Sequence, residues 1–154
     1  MDRTDIQIIK ALQNNARLSN KELAGIVGLA PSSCLARVRN LIDQGVLKNF
    51  LAEIDPDAVG VGIQAMIAIT LNIHSGHIFY QLTAYFQSQP EVRAFYHLSG
   101  VNDVLIHVMV RDTHHLRDFV MDKITSRDEV ARCDTSIIYD DYRSSEMPIY
   151  CSIE

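Results

Sequence analysis

The apolar periodicity of this chain changes once, near Asp55-Pro56, and that change limits what the chain can fold into. Before it, apolar residues recur every three or four positions in three short runs. After it, strand-like apolar runs are interleaved with two further helical stripes. The stretch IDPDAVGVG between them carries a proline, two acids and two glycines, the composition of a linker. With 154 residues there is room for two small domains. The expected division is residues 1–54, a linker at 55–62, and residues 63–154.

The first part reads as three helices in quick succession. Residues 2–14 place Ile6, Ile9 and Leu12 on one stripe, with Asp2 and Asp5 near the start, where negative charge suits the helix dipole. Ser19 followed three residues on by Glu22 is a capping-box pattern opening a second, short helix with Leu23, Ala24 and Val27 on its apolar face. Gly28 can take the left-handed conformation that ends it. Pro31 then sits in the first turn of a third helix, residues 31–44, where a missing N–H does no harm, although Ala30 offers no capping hydroxyl.

On a helical wheel the third helix is expected to turn Leu35, Val38, Leu41 and Ile42 inward and Ser33, Ala36, Arg37 and Asn40 outward. Ser32 lies at its exposed N-terminal end and Arg39 on its flank. Small polar residues, an arginine and an asparagine on the outer face allow close approach and leave groups that hydrogen-bond base edges. Two helices joined by a glycine-containing turn match the helix-turn-helix, whose second helix enters the major groove of duplex DNA. VLKNFLAEID after Gly45 is strand-like, as in a winged variant, and puts Lys48 at a turn edge. Arg37 and Asn40 are expected at base edges, Ser32, Ser33 and Ala36 at the helix start and contact face, and Arg39, Lys21, Arg17 and Lys48 at phosphates. The charge distribution agrees. Residues 1–50 hold seven Lys/Arg against four Asp/Glu, whereas the remainder holds seven against fifteen, so a net −5 conceals +3 and −8.

The second part has the order βαββαβ: a strand at 63–71, a helix at 78–89, strands at 92–98 and 103–110, a helix from about Thr113, and a strand at 130–139. This is the ferredoxin-like arrangement, one antiparallel sheet with both helices on one face, so the whole chain is α+β. Met66, Leu105 and Met109 fall on the other face. A wet sheet would alternate more cleanly, so that face is expected to pack on a second copy, forming a homodimer.

MDRTDIQIIKALQNNAR, the block SNKELAGIVGLAPSSCLARVRNLIDQGVLKNF, the Asp-Pro linker and HLSGVNDVLIHV together resemble the Lrp/AsnC (leucine-responsive, asparagine-responsive or feast/famine) family over essentially the whole length. The resemblance implies a winged helix-turn-helix followed by an ACT-like (RAM) effector-binding domain. It implies dimers that often assemble into octameric discs wrapping DNA, with amino acids as effectors. It places the effector at Ser99, Gly100, Val101, Asn102 and Asp103, after His97, and at Thr135 of the last strand. Gly100 allows loop amides to meet a carboxylate, and Asp103 can meet an α-ammonium. Family members frequently carry an acid where Val101 stands.

Other classes find less support. Cys34, Cys133 and Cys151 are odd in number and lack C-x-x-C spacing, so neither a disulfide framework nor a zinc ribbon is expected. His74 and His77, and the His114-His115 pair, lack the further ligands of a metal site. His107 is expected as a satisfied buried imidazole and Asp140-Asp141 as a solvated turn. No nucleophile elbow, phosphate loop or dinucleotide fingerprint is present, so neither an enzyme nor a cofactor is expected. The first residues lack the order of a secretion signal and no apolar run suits a membrane helix, which predicts a cytoplasmic, nucleoid-associated protein. Two alternatives remain: a ligand-independent architectural protein that wraps DNA, and an ACT-like amino-acid-binding regulatory subunit without DNA binding.

Overall fold

The computed structural model describes residues 1–72 and 75–151, so His74 and residues 152–154 of the tail lie outside the described residues. Two compact units form: Met1–Glu53 together with Tyr142–Glu154, and Ile54–Asp141. The expected division at 63–154 therefore differs at its end, because the described tail residues pack with the helices.

In the helical unit, α1 (Arg3–Asn14), α2 (Asn20–Val27) and α3 (Pro31–Asp43) surround one core. Its buried residues are Ile8, Ile9 and Leu12 of α1, Leu23 and Ala24 of α2, and Cys34 and Leu41 of α3. The capping box at Ser19 and Glu22 forms as the sequence predicts, and Asp2 and Asp5 build a second one at the start of α1. The tail returns along α1. The Met147 N–H donates to Gln13 Oε1 (2.6 Å), Asn14 Nδ2 donates to Glu146 Oε1 (2.6 Å), and Ile149 packs against the helical core. Residues 147–151 form no strand.

The wing strand does not form either: residues 46–55 pair with no strand among the described residues. Phe50, Leu51 and Ile54 are exposed on this extended stretch, which has the strand-like composition but no partner to complete a ladder.

The second unit has the expected order: β1 (Ile63–Leu71), α4 (Gly76–Gln87), β2 (Val92–His97), β3 (Val104–Val110), α5 (Thr113–Phe119) continuing into a π-helical segment at Val120–Thr125, and β4 (Val130–Ile137). The sheet order is β2-β3-β1-β4, and every pairing is antiparallel. Alternation along β1 sends Ala65, Ile67, Ile69 and Leu71 into the core with Val104, Ile106, Val108 and Val110 of β3. Leu82 and Phe86 of α4, Leu116 and Phe119 of α5 and Ile124 cover that face. Burying each large side chain contributes about 1.5–3 kcal/mol. Gly62 is required just before β1, since a Cβ there would run into the Arg111 carbonyl. The opposite face carries Gln64, Met66, Ala68 and Thr70 of β1 beside Leu105, His107 and Met109 of β3. His107 is buried there and hydrogen-bonds Gln64 Oε1 (3.0 Å), so its imidazole is satisfied as expected. No helix among the described residues is long and apolar enough to cross a membrane.

Candidate nucleic-acid interface

The geometry of the α2–α3 pair begins at Gly28. Its φ of 70° and ψ of 32° lie in the left-handed region, which ends α2, and the Leu29 N–H donates back to the Ala24 carbonyl (2.9 Å). Ala30 supplies no side-chain cap to α3. Asn20 provides a different tie. Its Nδ2 donates to the Pro31 carbonyl (2.8 Å), linking the first turns of α2 and α3. Sequence reasoning passed over Asn20, whose partner lies eleven residues away across the turn.

The buried stripe of α3 differs from the wheel. Cys34 and Leu41 are buried with Val38 packed beside them, while Leu35 is 39% and Ile42 43% exposed. The inward direction is rotated by roughly 40° from that expected, because Cys34 rather than Leu35 lies at its centre. Burial pushes the Cys34 thiol up from its ordinary value, so this cysteine behaves as a small apolar residue.

That rotation leaves Ser32, Ser33, Ala36, Arg39 and Asn40 on the exposed side of α3, with no acid among them. Asn40 Oδ1 accepts from Gln44 Nε2 (3.1 Å). Arg17, Lys21, Arg39 and Lys48 are exposed and form no ion pair among the described residues.

Arg37, expected to point outward, lies instead on the flank of α3, where its Nη1 meets Asp2 Oδ2 (2.6 Å) and Asp5 Oδ1 (2.8 Å). The Asp2 carboxyl is held below its usual value by the Asp5 backbone N–H and by Arg37, and the Arg37 guanidinium is raised in turn by Asp5 and Asp2.

In the sheet unit, the β2–β3 loop holds Ser99, Gly100, Val101, Asn102 and Asp103 together. Gly100 has φ 144°, and Val101 is 91% exposed. Asp103 organises the loop. Its N–H donates to the Ile69 carbonyl (2.9 Å), its carbonyl accepts from Leu98 N–H (2.8 Å), and its Oδ2 accepts from Leu71 N–H (2.8 Å). Thr70 Oγ1 donates to Asn102 Oδ1 (3.2 Å). His97 stacks on Phe79 with ring centroids 3.9 Å apart. Thr135 is not gathered into this loop: it pairs with Ile67 on β4, at the opposite edge of the sheet from β2.

A cavity of 330 Å³ lies elsewhere in this unit, at the start of β1 and the end of β4, with Asp57, Gln64, Tyr139, Asp140 and Asp141 among its lining. The sequence reading took Asp140-Asp141 for a solvated turn and missed it. Of the paired histidines, His115 sits 3.2 Å from Glu91 Oε1, and its N–H is capped by Asp112.

Comparison with known proteins also divides the chain in two, with the second match running on into the tail residues that pack with the helices. Residues 1–48 match the winged helix-turn-helix DNA-binding family, and residues 64–148 match the Lrp/AsnC ligand binding domain. The chain is 39% identical to the HTH-type transcriptional regulator AldR of Mycolicibacterium smegmatis, covering 94% of this chain and 85% of that one. It is 30% identical to the leucine-responsive regulatory protein of Salmonella typhimurium, covering 94% and 88%. A transcriptional regulator of Neisseria meningitidis, solved in complex with L-Met, superposes with a TM-score of 0.87 at 31% identity, covering 94% and 93%.

Proposed function

The chain belongs to the Lrp/AsnC family of DNA-binding transcriptional regulators, and we propose that it reads duplex DNA sequence-specifically with α3 under the control of an amino-acid-type effector. It is a regulator rather than an enzyme. The observation that carries the reading is the exposed side of α3, where Ser32, Ser33, Ala36, Arg39 and Asn40 lie together and the one acid, Asp43, comes at the last residue, on a helix whose first turn is tied to α2 by Asn20. Asn40 presents a side-chain amide for a base edge, with Ser33 and Ala36 small enough to let the helix approach. Ser32 at the helix start, and Arg39, Lys21, Arg17 and Lys48 around it, serve the phosphates. Arg37 stands apart from this set because α1 holds its guanidinium.

The effector reading rests on the ligand-binding family match and on the L-Met complex of the Neisseria relative. The loop Ser99–Asp103 offers its amides around Gly100 to a carboxylate and Asp103 faces the ammonium, whereas Thr135, on β4 two strands from β3, lies outside this set. The open sheet face bearing Met66, Leu105 and Met109 packs on a second copy, and such dimers assemble further, as an octamer, on DNA. Two-fold symmetry then presents two α3 helices to paired half-sites.

Equilibrium DNA binding over a salt series tests this. Asn40→Ala should cost about 1–3 kcal/mol at one base position and relax preference there, whereas Lys48→Ala should weaken all sequences alike and flatten the salt slope by about one. Unchanged binding in both variants refutes the docking. A ligand-free DNA-wrapping role is the second reading, favoured by the engagement of Asp103 Oδ2 with the Leu71 amide and by Val101 in the loop. Calorimetry with the common amino acids separates the two, since only an effector site gives heat that Asp103→Ala removes.

A further inference from the structure

The contact between α1 and α3 is a closed network rather than a single ion pair. Asp2 Oδ1 accepts the Asp5 N–H (2.9 Å), and Asp5 Oδ2 accepts the Asp2 N–H (3.0 Å). The remaining oxygens, Asp2 Oδ2 and Asp5 Oδ1, both accept from Arg37 Nη1, at 2.6 and 2.8 Å. Each of the four carboxylate oxygens thus has a donor, and the residues that start α1 also fix the middle of α3. Asp5 is the most enclosed member, its side chain 15% exposed against 37% for Arg37 and 42% for Asp2. With Asn20 holding the first turn and Arg37 the second, α3 is tied at two levels to different helices.

We propose that Arg37 is a positioning residue for DNA recognition, setting the orientation of α3 through Asp2 and Asp5 without touching DNA itself. This rests on the DNA-reading function proposed above. Both contacts use Nη1, so a guanidinium that turned this nitrogen to a base or phosphate would have to leave both carboxylates, and the two possibilities give opposite signs when Asp5 is altered. If Arg37 were a DNA contact restrained by the acids, removing the Asp5 charge would free it and strengthen binding. As a positioning residue it loses an anchor instead, and binding weakens even though a negative charge has been removed.

The test uses the full chain, a duplex selected by it from a random pool, and a scrambled duplex, with anisotropy measured over a potassium chloride series. Circular dichroism reports folding. Asp5→Asn and Arg37→Met should each lower affinity for the selected duplex about fivefold and leave the salt slope unchanged, while the double variant falls little further. Arg37→Lys, which keeps the charge but offers no planar fork, should lie between. If Arg37→Met does not fold, Asp5→Asn and Arg37→Lys carry the comparison. Unchanged or tighter binding by Asp5→Asn, or a slope reduced by about 0.9 in Arg37→Met, overturns the positioning role. A wild-type chain that selects no duplex overturns the DNA reading itself, and with it this inference.

Discussion

Gly25 and Gly28 lie three residues apart, yet alanine should act on them in opposite directions. Gly25 is inside α2 and exposed, and a Cβ there would meet nothing within 4 Å. Gly25→Ala should therefore stabilise the helical unit by up to about 1 kcal/mol, the helix-propensity difference. Gly28 also has open space around its Cβ position, so substitution there meets no clash, but its φ is +70°. An L-residue in that region costs roughly 1–2 kcal/mol. The smaller entropy of the unfolded alanine chain returns about 0.4–1 kcal/mol, which leaves a net destabilisation near 1 kcal/mol. The two variants should differ by about 2 kcal/mol, and Gly28→Asn should fall between wild type and Gly28→Ala because asparagine tolerates the left-handed region. Native-state hydrogen exchange at α2 and α3 amides measures this locally in the full chain, with urea unfolding followed by circular dichroism as a second readout. Changes of the same sign at both glycines would refute the reasoning, since it holds that backbone conformation alone separates them.

The sheet face offers a second prediction. Met66→Asp and Leu105→Asp should each shift sedimentation from dimer to monomer while the sheet unit stays folded, because these side chains are on the face away from α4 and α5. A wild-type chain that sediments as a monomer at micromolar concentration contradicts the dimer. A third concerns acid. Asp2 is held below its ordinary value first by the Asp5 N–H, Glu22 by Ser19, and Asp112 by the His115 N–H, all at helix starts. A carboxylate whose folded pKa lies below its unfolded one stabilises fully above the unfolded value and loses that contribution as pH falls. Melting temperature should therefore be flat with respect to these groups near neutrality and fall once pH drops below about 4. An Asp2→Asn, Glu22→Gln, Asp112→Asn chain should show a shallower fall, measured by circular dichroism across that range.

Much of the fold was legible because its signals are local. Ser19 and Glu22, three residues apart, announce α2, Gly28 ends it, and the alternation in IQAMIAITL identifies both faces of β1. Cys34 was left off the inward stripe for a specific reason. A wheel weighted by large apolar residues centres on Leu35 and Ile42, and it cannot know that a small thiol fills the tight space under α1 and α2. That error of roughly 40° also carried Arg37 to the wrong side. The Arg37 partners are 32 and 35 positions away, and the tail contacts with Gln13 and Asn14 span more than 130, so no periodicity within a window could reveal them. The wing failed in the opposite sense: composition in VLKNFLAEID signalled a strand, but a strand also needs a neighbour.

The return of residues after Tyr142 to α1 makes the sheet unit an insertion within the helical one. Synthesis therefore delivers α1, α2 and α3 well before Ile149 reaches them, with the whole ferredoxin-like module emerging in between. A chain cut after Asp141 would hold every strand of the sheet and a reader without the apolar cover that Ile149 supplies.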